Sequence, residues 1–174
     1  MSARQQTFLF LLAAVLGLGG GLAVALWKHD PSSGPLAETL YTRTFPDTQG
    51  RDQPLAQWQG QVLVVNFWAT WCPPCIREMP DLQKIADDYQ SRDVTVVGIA
   101  IDNPQAVREF KTQYGLRMPI LDGAAGGNQL AAELGNPSGA LPFTVVIDRK
   151  GRIIWTRLGL IDPEELRRKL DAAS

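Results

Sequence analysis

The chain of 174 residues contains two cysteines, and both fall in NFWATWCPPCIREMP, residues 66–80, as Cys72 and Cys75. Two thiols at this spacing suit a structural staple, a metal site or electron exchange with another protein. A disulfide stabilises mainly by closing a loop of the unfolded chain, and so short a loop is worth only about 2 kcal/mol. A chain of this length also buries an adequate core without staples. Zinc wants four ligands where the motif offers two, and the single histidine, His29, stands far upstream. Two thiolates do suit Cu(I), a soft ion that tolerates low coordination, with Met79 and Met118 as further soft donors. A copper-binding metallochaperone is therefore the alternative to thiol–disulfide chemistry. A peroxidase would need a peroxidatic cysteine in a motif of its own, and none is seen.

Thiol chemistry needs one cysteine to attack and one to resolve. If a strand ends near Ala69-Thr70 and a helix opens at Pro73-Pro74, Cys72 sits at the helix N-terminus. Unpaired N–H groups and the positive end of the helix there favour the thiolate, which is the nucleophile. Cys75, one turn in, is placed to attack the mixed disulfide and release the product. The prolines fit a first helical turn, where N–H groups have no helical partner. They also withhold two donors from the thiolate, which favours a lower potential and a better reductant.

Several elements must position this pair. VLVVNFW (62–68) is a continuous apolar run, expected of a strand buried on both faces. Ile76, Met79, Leu82, Ile85, Ala86 and Tyr89 give helical spacing from Cys75 to about Gln90, with an interruption and kink expected at Pro80. VTVVGIAI (94–101) reads as a second buried strand, and Pro104 to Tyr114 as a helix ended by Gly115. A short strand is expected at 118–121 and a helix near 129–134. The intervening DGAAGGN lacks the Gly-Lys-Ser/Thr of a phosphate loop and reads as a plain loop. FTVVID (143–148), a turn at 149–151 and residues 152–158 predict an antiparallel hairpin. Asp162 caps a last helix, with Glu164 and Glu165 at its start and Arg167, Arg168 and Lys169 expected near its end. Upstream, residues 47–50 read as a turn between short strands. A strand–helix–strand unit opening at a CxxC predicts an α/β, thioredoxin-like fold with a central mixed sheet flanked by helices.

Before this domain, Phe8 to Trp27 is an uncharged run that would span roughly 30 Å as a helix, the thickness of a bilayer core. Residues 1–28 are expected to form a single-pass membrane anchor, with a cleaved signal peptide as the competing reading because Ala23-Val24-Ala25 fits a cleavage site. Arg4 before the run puts the N-terminus on the cytoplasmic side, so the cysteines are exported. Residues 29–40, rich in Pro, Ser and Gly, read as a tether, and 41–174 as the catalytic domain. The net charge of −1 gives no support to nucleic-acid binding.

NFWATWCPPCIREMP and GALPFTVVIDRKGRI (139–153) resemble segments of the membrane-anchored, TlpA/ResA-type thioredoxin-like proteins of bacteria, and the likeness extends over roughly residues 40–172. The resemblance implies that Cys72 and Cys75 are the redox pair and that Pro142, after Leu141, is a cis-proline beside them. Glu78 matches an acid near the cysteines of the family's reductases. Asn66 stands where thioredoxin has a buried aspartate, which leaves Glu78 as the better candidate base. Trp68 and Trp71 are expected around the site, with simple core packing the equal reading for Trp68, and Trp71, Leu141 and Pro142 are expected to contact substrate. The resemblance further implies a monomer without cofactor or metal, held in the inner membrane with its domain in the periplasm. Its expected partners are proteins with disulfides, such as apocytochrome c or copper-centre proteins, and a membrane electron donor.

Overall fold

The computed structural model describes residues 35–174. The segment expected to be an anchor or signal, and the first part of the expected tether, lie outside the described residues. Among the described residues no helix is long and apolar enough to cross a membrane.

Helix α1 (Pro35–Tyr41) opens the described chain and occupies the second half of the expected tether, with Leu40 fully buried. Strands β1 (Thr44–Pro46) and β2 (Asp52–Pro54) pair antiparallel across the expected turn. A short 3-10 turn, Leu55–Trp58, leads into β3 (Val62–Trp68). There follow α2 (Pro73–Tyr89), β4 (Val94–Ala100) and α3 (Pro104–Gln113). The chain ends with β5 (Ile120–Asp122), α4 (Gly127–Glu133), β6 (Phe143–Ile147), β7 (Ile153–Leu158) and α5 (Pro163–Ala173). The main sheet has the order β5-β4-β3-β6-β7, with β3, β4 and β5 parallel and β6 and β7 antiparallel additions. The expected mixed sheet is present.

Strand β3 is buried at every position because both faces of the sheet are covered. Val62, Val64 and Trp68 pack with Leu82 and Ile85 of α2, Val107 and Phe110 of α3, and Leu166 and Leu170 of α5. Leu63, Val65 and Phe67 face the other way, with Leu40, Leu55, Trp58 and Leu130. The strand's period of two therefore assigns Asn66 to the same face as α2. Gly98 of β4 lets the Trp68 indole lie close across the sheet. A Cβ there would stand 2.9 Å from Trp68 Nε1 and 2.7 Å from Ile120 Cδ1. The glycine-rich loop before α4 has a packing cause too: a Cβ at Gly123 or Gly127 would fall 2.5 Å from an isoleucine side-chain carbon.

Four local expectations are corrected. Helix α2 runs unbroken through Pro80, although the missing N–H forfeits one helical bond. Met79, Leu82 and Ile85 are fully buried on either side of it, and that packing holds the helix together where propensity alone would end it. Strand β5 begins later than expected, and α4 starts at Gly127. The basic residues of α5 lie mid-helix and not in its last turn. Arg167 instead pairs with Asp88 at the end of α2, at 2.7 Å.

Candidate redox site

The C-terminal end of β3 delivers the chain into a short loop, Ala69–Trp71, and then into α2 at Cys72. Cys72 is the helix N-cap, with Pro73 and Pro74 as the first two helical residues. Its Sγ accepts from Cys75 N at 3.4 Å, the bond that a capping serine would make. The two cysteines are disulfide-bonded, with Cα atoms 5.3 Å apart. Both are largely covered, Cys75 completely and Cys72 with 4% of its surface exposed. Trp71, immediately before, is 65% exposed.

Strand pairing brings the second expected segment to the same place. Phe143 opposes Phe67, the penultimate residue of β3, so the start of β6 lies at the cysteine end of the sheet. The preceding Leu141–Pro142 peptide bond is cis. Pro142 O accepts from Gly159 N at 2.8 Å, which ties this turn to the end of β7. Leu158 and Leu160, on either side of Gly159, are exposed. Trp68 is fully buried in the same apolar cluster as the two cysteines and packs against Phe110 with ring centroids 5.0 Å apart, the core packing that was one of its two expected roles.

Glu78, one helical turn beyond Cys75, has only 2% of its surface exposed. One carboxylate oxygen accepts from Asn66 Nδ2 at 2.8 Å, and the other from Ile161 N at 3.0 Å. Asn66 Nδ2 also donates to Thr144 Oγ1 at 3.0 Å. Burial pushes the Glu78 carboxyl above its ordinary value; the bonds from Ile161 and Asn66 pull it back, and the charge of Asp81 raises it further. A buried acid with this bias exchanges a proton more readily near neutral pH than an exposed one.

Asp102 and Thr70 were not among the residues expected here. Asp102 Oδ2 accepts from Thr70 N at 2.8 Å and from Thr70 Oγ1 at 2.5 Å. The sequence IDNP offers both Asp102 and Asn103 as helix caps, and the structure uses Asn103 for α3. That leaves Asp102 for another partner, a choice no local pattern announces. Metal ligands are sparse: among the described residues no group of three or more His, Cys, Asp or Glu side chains is placed to hold an ion. Met79 and Met118 are buried in the same apolar cluster as the cysteines.

A central β-strand ending at a cysteine pair on a helix N-terminus, with a cis-proline turn at the same end of the sheet, defines a thioredoxin-like thiol–disulfide oxidoreductase. The Redoxin family profile matches residues 35–173, and the chain belongs to that family, within its TlpA/ResA-type members. It is 31% identical to the thiol-disulfide oxidoreductase ResA of Geobacillus thermodenitrificans, over 97% of this chain and 93% of the relative. The ResA of Halalkalibacterium halodurans is also 31% identical, over 90% and 89%. Among solved structures, the solution structure of a putative thioredoxin from Neisseria meningitidis is 32% identical with a TM-score of 0.66, covering 75% of this chain and 86% of that one.

Proposed function

We propose that the protein is an exported, membrane-tethered reductase of protein disulfides. Cys72, as thiolate, attacks one sulfur of the partner's disulfide; that S–S bond breaks and the partner's other sulfur leaves as a thiolate. Cys75 then loses its proton, to Glu78 in this reading, and attacks Cys72 Sγ. The mixed disulfide breaks, the partner departs as a dithiol, and the two electrons it gained leave the Cys72–Cys75 pair oxidised. Trp71, Leu141 and Pro142 line the approach to the sulfurs and receive the partner chain.

The observation that carries this reading is the N-cap position of Cys72 with proline in the next two places. A cap side chain accepts from the second or third helical N–H. Here the third, that of Cys75, reaches the sulfur, while Pro74 in the second place has none to give. A thiolate short of one donor is less stabilised, and the dithiol surrenders its electrons more readily. A membrane electron donor must then re-reduce the pair. Tethering rests on the uncharged run from Phe8 to Trp27, and the relatives' name, thiol-disulfide oxidoreductase ResA, favours the exchange chemistry. Apocytochrome c and copper-centre proteins are the substrates proposed.

Cys75→Ser tests the reaction. Reductant-sensitive adducts between Cys72 and partner proteins are expected to accumulate, and a Cys72→Ser variant that traps partners instead reverses the two roles. Salt-resistant membrane pelleting, with the intact N-terminus in the mass of the purified protein, tests the anchor against the signal peptide.

A further inference from the structure

The loop that carries Trp71 and Cys72 is irregular, and its shape is set by a few hydrogen bonds. Ile101 N donates to Trp68 O at 2.8 Å where the loop leaves β3, and Cys72 N donates to Ala69 O at 3.3 Å where it enters α2. Between them stands Thr70, both of whose donors go to Asp102 Oδ2, at 2.8 Å from the backbone and 2.5 Å from the hydroxyl. The other carboxylate oxygen accepts from Asn103 N at 2.6 Å. Asn103 in turn caps α3, its side chain accepting from Gln105 N at 2.8 Å. One carboxylate thus joins the start of α3 to the redox loop, through bonds that its charge strengthens.

We propose that Asp102 is a positioning residue for disulfide exchange: by clamping Thr70 it presents Trp71 and Cys72 to the partner's disulfide in one fixed geometry. The proposal rests on the reading of Cys72 as the attacking thiol. Attack on a disulfide requires the incoming sulfur to be aligned with the bond that breaks, and a misplacement of about 1 Å costs on the order of 100-fold in rate. The clamp grips the chain two residues before that sulfur. Ala69 and Cys72 on either side are buried, whereas Trp71 between Thr70 and Cys72 lies mostly in solvent and has little packing to fix it. The core beneath is independent of the clamp, because Trp68 is held by Phe110 and the flanking sheet.

The test uses the full chain in detergent, with a disulfide-bonded peptide as substrate and three variants. Asp102→Ala is expected to slow exchange by about tenfold or more, with the pH profile of Cys72 alkylation and the thermal midpoint near those of the parent protein. Asp102→Asn keeps one acceptor oxygen for Thr70 and is expected to recover most of the rate. Thr70→Val deletes only the hydroxyl bond; it is expected to slow exchange several-fold alone and to add nothing in the Asp102→Ala background. That variant decides the matter even if the alanine protein does not fold. The clamp is overturned if Thr70→Val exchanges at the parent rate, if Asn fails to restore what Ala loses, or if the rate falls only in step with the thermal midpoint. Exchange that survives Cys72→Ser sinks the assignment of the attacking thiol instead, and is distinguishable from all of these.

Discussion

Replacing Glu78 by Gln removes a charge and one acceptor while keeping the side chain's shape, and the surroundings of the carboxylate determine the outcome. Two donors aim at it, Asn66 Nδ2 at 2.8 Å and Ile161 N at 3.0 Å. A glutamine has one oxygen for both and would turn its own N–H groups on the second. Asn66 can relieve this conflict. Its Oδ1 is buried with no hydrogen-bond partner among the described residues. Turning the Asn66 amide over lets Oδ1 accept from the new Nε2 and from the Thr144 hydroxyl, while the glutamine oxygen keeps Ile161 N. The Asn66 Nδ2 then takes the partnerless place that Oδ1 held, an unmet donor that costs about 1–3 kcal/mol, which the fold is expected to survive.

The pH dependence gives the sign. Burial raises the Glu78 carboxyl above its ordinary 4.5, so the folded chain holds a proton that the unfolded chain has already released. Stability then falls as pH rises from about 4.5 through the raised folded value, and levels off beyond it. Below that window both states are protonated and the acid contributes no slope. Thermal midpoints of parent and Gln variant are therefore expected to run parallel below about pH 4 and to diverge in favour of Gln through the window. The rate moves the other way. A positioned base contributes roughly 100- to 10,000-fold, and a thiol needs less help than most groups, so exchange should slow by about tenfold or more. Single-turnover resolution of a Cys72 mixed disulfide, followed by stopped flow, measures the step directly. Parent-like resolution together with midpoints parallel at every pH would falsify the assignment and leave Glu78 a buried structural acid.

Pro74→Ala restores the second helical N–H, which reaches the capping sulfur; a hydrogen bond to a charged group is worth about 1.5–3 kcal/mol. The potential against glutathione is expected to rise by roughly 30–60 mV, and an unchanged potential removes the prolines from the account of direction. Gly98→Ala drives a methyl into Ile120 and the Trp68 indole, so denaturant unfolding should show a loss of about 1–3 kcal/mol; full stability would mean that the indole moves aside freely. Trp71→Ala removes an exposed side chain beside Cys72. Its KM for a protein disulfide should rise several-fold while a small disulfide reacts at the parent rate, and equal losses on both substrates would refute a docking role.

What could be read from the sequence was what is local. VLVVNFW announces a strand covered on both faces, and β3 is buried throughout. The CPPC run carries its own helix signal, because cysteine can cap and proline belongs in a first turn. What escaped depends on residues distant in the chain. Glu78 was named through the family resemblance, since its helix pattern equally suits a solvated acid, but its donors, Asn66 on β3 and Ile161 beyond β7, were not. Asp102 looks like a helix cap until Asn103 takes that position. Pro80 was expected to interrupt a helix that tertiary packing carries on through it.

The two features that bear on the direction of electron flow are separable by pH. The missing donor at Pro74 acts wherever Cys72 is a thiolate, since a backbone N–H does not titrate there. Glu78 acts only when charged. A carboxylate one turn from Cys75 disfavours negative charge on the nearby sulfurs, whereas the protonated acid resembles a glutamine in charge. The reduction potential of Glu78→Gln is therefore expected to match that of the parent protein at low pH. It should rise above it once pH passes the raised value of the carboxyl, because the thiolate is then relieved of a repelling neighbour. Pro74→Ala should instead exceed the parent potential by a similar margin wherever Cys72 is ionised. Potentials of the three proteins measured against glutathione between pH 5 and about pH 8, where glutathione still equilibrates with thiols, distinguish these patterns. A Gln variant offset equally at every pH would mean that Glu78 acts through the fold of the site and not through its charge.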